Sequence, residues 1–173
     1  MHIDLRAFSA DCLIAGKLEL SAPRLTDMLN AETIFHLTDV VLEGLADGRR
    51  ISIPAYNLPR DEIYAVKVTG PRGSKALRIV TVPHRVQAQI GPYNVLGRLN
   101  AAPGMDPLRT MTDRGVMLPL TDATIAYVVA GILEVRDAST VIINRELSSW
   151  VRGAETEESP MGVGMPLTSD TRR

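Results

Sequence analysis

Hydrophobic and polar residues alternate most clearly between Arg85 and Ile90. There Val86, Ala88 and Ile90 take turns with Arg85, Gln87 and Gln89. A period of two places apolar side chains on one face of a strand and polar ones on the other. Gly91-Pro92-Tyr93-Asn94 then reads as a hairpin-like turn. Earlier in the chain, Cys12 to Leu20 is more uniformly apolar, as expected of a strand buried more deeply. From Ser21 the spacing changes. Leu25, Met28 and Leu29 recur at helical intervals, Ser21 and Pro23 suit a helix start, and Asn30 suits its stop. So short a helix must pack against a sheet or a barrel end.

A strand is expected from Ile34 to Leu45, followed by Asp47-Gly48 as a two-residue hairpin turn and Arg49–Ile53 as the returning strand. Pro54 should end regular pairing or mark a sheet edge. Ile63–Val68 reads as a last strand. In the second half the counterparts are about Thr124–Val135, Ser139–Ile143 and Leu147–Val151, with Arg136-Asp137-Ala138 as the intervening turn.

These patterns recur because the chain resembles itself. Ile34-Phe35-His36-Leu37-Thr38-Asp39 aligns with Met117-Leu118-Pro119-Leu120-Thr121-Asp122. Arg24–Met28 falls on Pro107–Met111, Gly16-Lys17-Leu18 on Gly97-Arg98-Leu99, and Leu58–Glu62 on Ile143–Leu147. Ordered matches with gaps only at turns point to a duplication. The expected organisation is a first β unit over residues 1–69, a linker and connecting strand over 70–83, a second β unit over 84–152, and a flexible or partner-docking tail over 153–173. The expected fold is mainly β with short helices: two tandem small barrel-like or curled-sheet units related by a pseudo-two-fold. A unit of this size buries too little surface alone, so each copy should complete the other's core.

Composition makes that core aliphatic. Hydrophobic residues are 45% of the 173, yet there are only two Phe, four Tyr and one Trp. Few aromatics leave little for stacking on sugars or single-stranded bases. The net charge of −1 supplies no bulk field toward nucleic acid or anionic lipid. The one cysteine, Cys12, excludes an internal disulfide and reads as a small core residue. The start of the sequence has no signal-peptide pattern and no apolar run approaches a bilayer span, so the reading is cytoplasmic, with no membrane partner.

Candidate chemistry is sparse. His2, His36 and His84 are scattered, so no metal site is expected, and no cofactor-binding motif stands out. Asp39 and Asp122 recur after an apolar strand. Their expected task is to accept hydrogen bonds at a strand end, helped by Thr38 and Thr121; the alternative is an acid/base dyad across a two-fold. Arg60-Asp61 and Arg145-Glu146 also recur, as local ion pairs or as an anion-binding arginine in each copy. Arg49 and Arg50 lead a diffuse basic set, with Lys67, Arg72, Lys75, Arg78 and Arg85, that would bind phosphate if gathered on one face. In the acidic tail, Met161, Val163, Met165 and Leu167 are regularly spaced and read as a docking strip.

The residues Arg24–Asn30, Leu37-Thr38-Asp39-Val40 and Leu58–Ile63 resemble a duplicated bacterial small-β-barrel domain of unknown function, over both units. A weaker likeness is to the Sm-like barrel, whose hydrophobic-Arg-Gly step before the last strand helps form a nucleotide pocket. Arg60 and Arg145 match the Arg, whereas Asp61 and Glu146 stand where that family has Gly. The expected function is a non-catalytic binding or assembly protein, an accessory subunit or homo-oligomer working through protein contacts. The alternatives are an Sm-like RNA-binding protein and a flavin-binding split-barrel oxidoreductase.

Overall fold

A computed structural model describes residues 1–68 and 80–154. The expected linker, apart from its last residues, and the docking strip at Met161, Val163, Met165 and Leu167 lie outside them. The described chain is mainly β, in one antiparallel sheet of ten strands. In chain order these are β1 (His2–Phe8), β2 (Cys12–Glu19), helix α1 (Leu25–Ala31), β3 (Ile34–Gly44), β4 (Arg50–Pro59), β5 (Ala65–Val68), β6 (Val82–Ile90), β7 (Tyr93–Ala101), the short helix α2 (Pro107–Thr110), β8 (Met117–Val129), β9 (Ile132–Asn144) and β10 (Ser148–Gly153). One 3-10 turn, Arg60–Glu62, precedes β5 and another, Arg145–Leu147, precedes β10.

The strands lie in the order β10-β6-β7-β8-β9-β5-β1-β2-β3-β4. The first five strands of the chain are thus arranged β5-β1-β2-β3-β4 and the last five β10-β6-β7-β8-β9. The registers agree as well. Leu5 pairs with Gly16 and Val68, and Val86 pairs with Gly97 and Gly153. Thr38 pairs with Ala55 and Val40 with Ile53. In the second half Thr121 pairs with Thr140 and Ala123 with Ala138.

The halves join through β5 and β9, with Ala65, Val66 and Lys67 opposite Ile143, Ile142 and Val141. These strands are not counterparts, since β9 corresponds to β4 and β5 to β10. A two-fold axis brings like strands together. The joint therefore departs from the expected pseudo-two-fold and runs head to tail.

Two buried clusters follow the halves and interlock at the joint. The first gathers Leu5, Ile14, Leu18, Leu29, Phe35, Leu37, Leu58 and Ile63, and takes in Met117 and Ile142 from the second half. The other gathers Val86, Ile90, Tyr93, Leu99, Ile125 and Tyr127, and takes in Phe8, Leu13 and Ala65 from the first. Phe8 meets Tyr93 and Tyr127 edge to face at centroid distances of 5.3 and 5.5 Å. The Tyr93 hydroxyl donates to Ser9 O at 2.5 Å, and burial raises its pKa.

Several local expectations change. Each half opens with a hairpin: His2–Phe8 is a strand missing from the expected elements, although its sequence alternates, His2, Asp4 and Arg6 against Ile3, Leu5 and Ala7. The Gly91-Pro92 turn holds. Arg136-Asp137-Ala138 lies inside β9, and the actual turn is Ala130-Gly131, both at positive φ (49° and 79°) as a type I′ hairpin requires. Asp47-Gly48 belongs to a wider loop, closed by Gly44 N to Arg49 O and Gly48 N to Gly44 O. Helix α1 starts at Leu25 without a side-chain cap; Ser21 instead donates to Glu32 Oε1 at 2.6 Å. Pro54 marks an edge: β4 continues past it because nothing else in the described sheet pairs on its outer side. No described helix is long and apolar enough to cross a membrane.

Candidate functional site

The paired aspartates sit within strands β3 and β8, not at strand ends. Each occupies a bulge. Pairing of β2 with β3 slips between Ala15 and Lys17, and pairing of β7 with β8 slips between Leu96 and Arg98. The extra residue takes the left-handed conformation, at φ 53° for Asp39 and 46° for Asp122. Aspartate tolerates that region better than most residues. Opposite each bulge lies a glycine. A Cβ on Gly97 would stand 2.9 Å from Leu120 Cβ, and one on Gly16 would stand 3.2 Å from Thr38 O. A side chain would crowd the bulged strand at Gly97 and fit only tightly at Gly16, which favours glycine at both places.

The residue after each glycine supplies the counter-ion. Lys17 Nζ donates to Asp39 Oδ2 at 2.9 Å, and Arg98 Nη1 to Asp122 Oδ2 at 3.1 Å. The hydrogen bond and charge of Lys17 hold the Asp39 carboxyl below its ordinary range, and Asp39 in turn raises Lys17. Both pairs are solvent-exposed. The expected threonine help is not seen at Asp122: Thr121 Oγ1 accepts from Asn100 Nδ2 at 3.2 Å and donates to Arg98 O at 3.4 Å. Four strands separate β8 from β3 in the sheet. Each carboxylate serves its own half, so they are not brought together as a dyad.

The paired arginines do not form the expected ion pairs with their acidic neighbours. Arg60 Nη1 donates to Asn30 O at 3.0 Å, and Arg145 Nε to Gly115 O at 3.3 Å. Both fasten the segment leading into the half's third strand, where Arg60 N also meets Thr33 O and Arg145 N meets Val116 O. Arg50 pairs with Glu43 at 3.1 Å across β3 and β4. Arg49 lies at the loop, its backbone N–H bonded to Asp47 Oδ1. Of the wider basic set, Arg72, Lys75 and Arg78 fall outside the described residues.

Two features escaped the sequence reading. Asn30 clamps the joint: its Nδ2 donates to Met117 O at 3.0 Å, and its Oδ1 accepts from Met117 N at 2.9 Å. A lone Asn near a helix end carries no signal for so distant a partner. The second feature is an open groove of about 480 Å³ over β1, β2, β3 and β5, lined by Asp4, Arg6, Lys17, Asp39 and Lys67 among others. Its charges are of both signs, and Lys17 and Asp39 already satisfy each other. Cys12 is half-buried beside Ser9, its thiol raised by burial. Among the described residues no cluster of His, Cys, Asp and Glu could hold a metal ion. No known protein family, curated protein or solved structure matches the chain.

Proposed function

We propose that the chain is a duplicated β scaffold, two curled-sheet units of one ancestry, which acts through protein contacts as an assembly or accessory subunit. One observation carries this reading. The same device recurs at the same register in both halves: a close-approach glycine, a cation after it, and a left-handed aspartate opposite. The residues with chemical potential are spent on architecture. Asp39 and Asp122 hold bulges, and Arg60 and Arg145 hold strand entries. Among the charged residues of its surface the scaffold also leaves large hydrophobics uncovered. Ile34, Ile51, Ile132, Leu133, Val135 and Trp150 are large hydrophobics left exposed. Sm-like RNA binding draws less support, because the arginines that would meet phosphate are occupied by backbone carbonyls. A flavin would show as colour in the purified protein.

Cross-linking the full-length chain in cells tests the reading. Cross-links from the exposed apolar positions to a second copy or to another protein are expected; cross-links confined to one chain would refute it.

A further inference from the structure

Resting on that duplicated reading, the shared register shows what each half lacks. At the joint, α1 and β5 form a groove filled by Met117 and Ile142 of the second half. Leu25, Ile63 and Val66 are consequently 8%, 0% and 0% exposed. The counterpart groove, between α2 and β10, is open among the described residues. It forms a pocket of about 260 Å³ lined by Leu108, Met111, Arg145, Ser148, Trp150 and Val151. Leu108, the counterpart of Leu25, is 37% exposed, and Trp150, the counterpart of Ala65, is 39% exposed.

One of the two fillers has an apolar counterpart at the opposite end of the same molecule, while Asn57 stands in the place of Ile142. Ile34 is the counterpart of Met117. It lies on β3 beside β4, an edge of the described sheet, and is 59% exposed, whereas Met117 is 1% exposed. β4 and β10 are the two edges of the described sheet, and they are the counterparts of the strands already paired at the joint.

We propose that a second copy of this chain completes each edge, with β4 of one copy pairing antiparallel to β10 of the next. Transposing the internal register sets Trp150, Val151 and Arg152 opposite Leu58, Asn57 and Tyr56. Ile34 of one copy then enters the pocket under α2 of the next. An unpaired strand edge is a template for such addition. The contact is heterologous, so it closes into a ring of copies if the rotation permits and otherwise propagates.

Light scattering of the full-length protein across a concentration series tests this. The wild type is expected at a multiple of 18.8 kDa. Ile34→Glu and Leu108→Glu each alter an exposed side chain on one edge only, and unchanged thermal melts would confirm intact folds. Each variant alone should fall to 18.8 kDa. Mixed in equal amounts they should form a capped pair at twice that mass, because each retains the edge the other has lost. A mixture that stays monomeric, or assembly that survives both substitutions, overturns the edge assignment. A monomeric wild type overturns it too. A monomer that still cross-links to another protein in cells leaves the scaffold reading standing; one that does not removes both.

Discussion

At Gly97 a methyl group would press on Leu120 and Ala123, at 2.9 and 3.1 Å, while at Gly16 the closest approaches are 3.2 Å. Overpacking of this kind costs about 1–3 kcal/mol, and the tighter site should sit at the upper end. Chemical denaturation should therefore rank Gly97→Ala as more destabilising than Gly16→Ala, with both below wild type. The left-handed aspartates separate conformation from charge. Asp122→Ala should lose about 1 kcal/mol through backbone strain, whereas Asp122→Asn, which tolerates positive φ, should lose less. Asp39 adds a pH signature. Its folded pKa is depressed, so its pairing stabilises above the ordinary carboxylate range and fades as pH falls through the folded value. Lys17 is raised, so its share persists below the ordinary lysine value and fades at higher pH. The melting difference between wild type and Asp39→Asn should accordingly be largest near neutrality and vanish in acid. That glycine, cation and aspartate recur was plain in the sequence. That they meet at a bulge was not, because a bulge is defined by the register of a neighbouring strand.

Among the elements, strands with clean alternation were legible, and so was the helix over Leu25–Ala31. Those that misled did so for local reasons. His2–Phe8 alternates polar and apolar as a half-buried strand should, with its polar side chains exposed, so its position at the start of the sequence hid it rather than any lack of pattern. Ala130-Gly131 turns the chain without the usual Asn or Asp, while Arg136-Asp137, which looks like a turn, stays extended with Asp137 accepting from Thr124 Oγ1 at 2.7 Å. Element positions depend on contacts such as the Asn30 clamp. Leucine at Asn30 would strip partners from both Met117 backbone groups, and an unsatisfied buried group costs about 1–3 kcal/mol. Asn30→Leu should lower the unfolding free energy by that order, and hydrogen exchange at the Met117 amide should accelerate.

Across the whole molecule, the two halves exchange core residues, Met117 and Ile142 in one direction and Phe8, Leu13 and Ala65 in the other. Neither core is complete alone. Calorimetry should show one cooperative transition, with calorimetric and van't Hoff enthalpies in agreement; two separated transitions would speak against the interlock. The repeated segments of the sequence fall at matching places in the strand orders β5-β1-β2-β3-β4 and β10-β6-β7-β8-β9, but the way the halves meet was not readable. Strand pairing across the joint links positions about 78 residues apart, such as Ala65 and Ile143, and no local periodicity encodes it. Sequence symmetry alone favoured a two-fold, and the structure replaces it with a head-to-tail joint. A cross-strand NOE map in solution examines that arrangement most directly. Equivalent ladders, Leu5 with Val68 and Val86 with Gly153, together with Ala65 facing Ile143, are expected. Contacts joining like strands, β4 with β9 or β5 with β10, would contradict it.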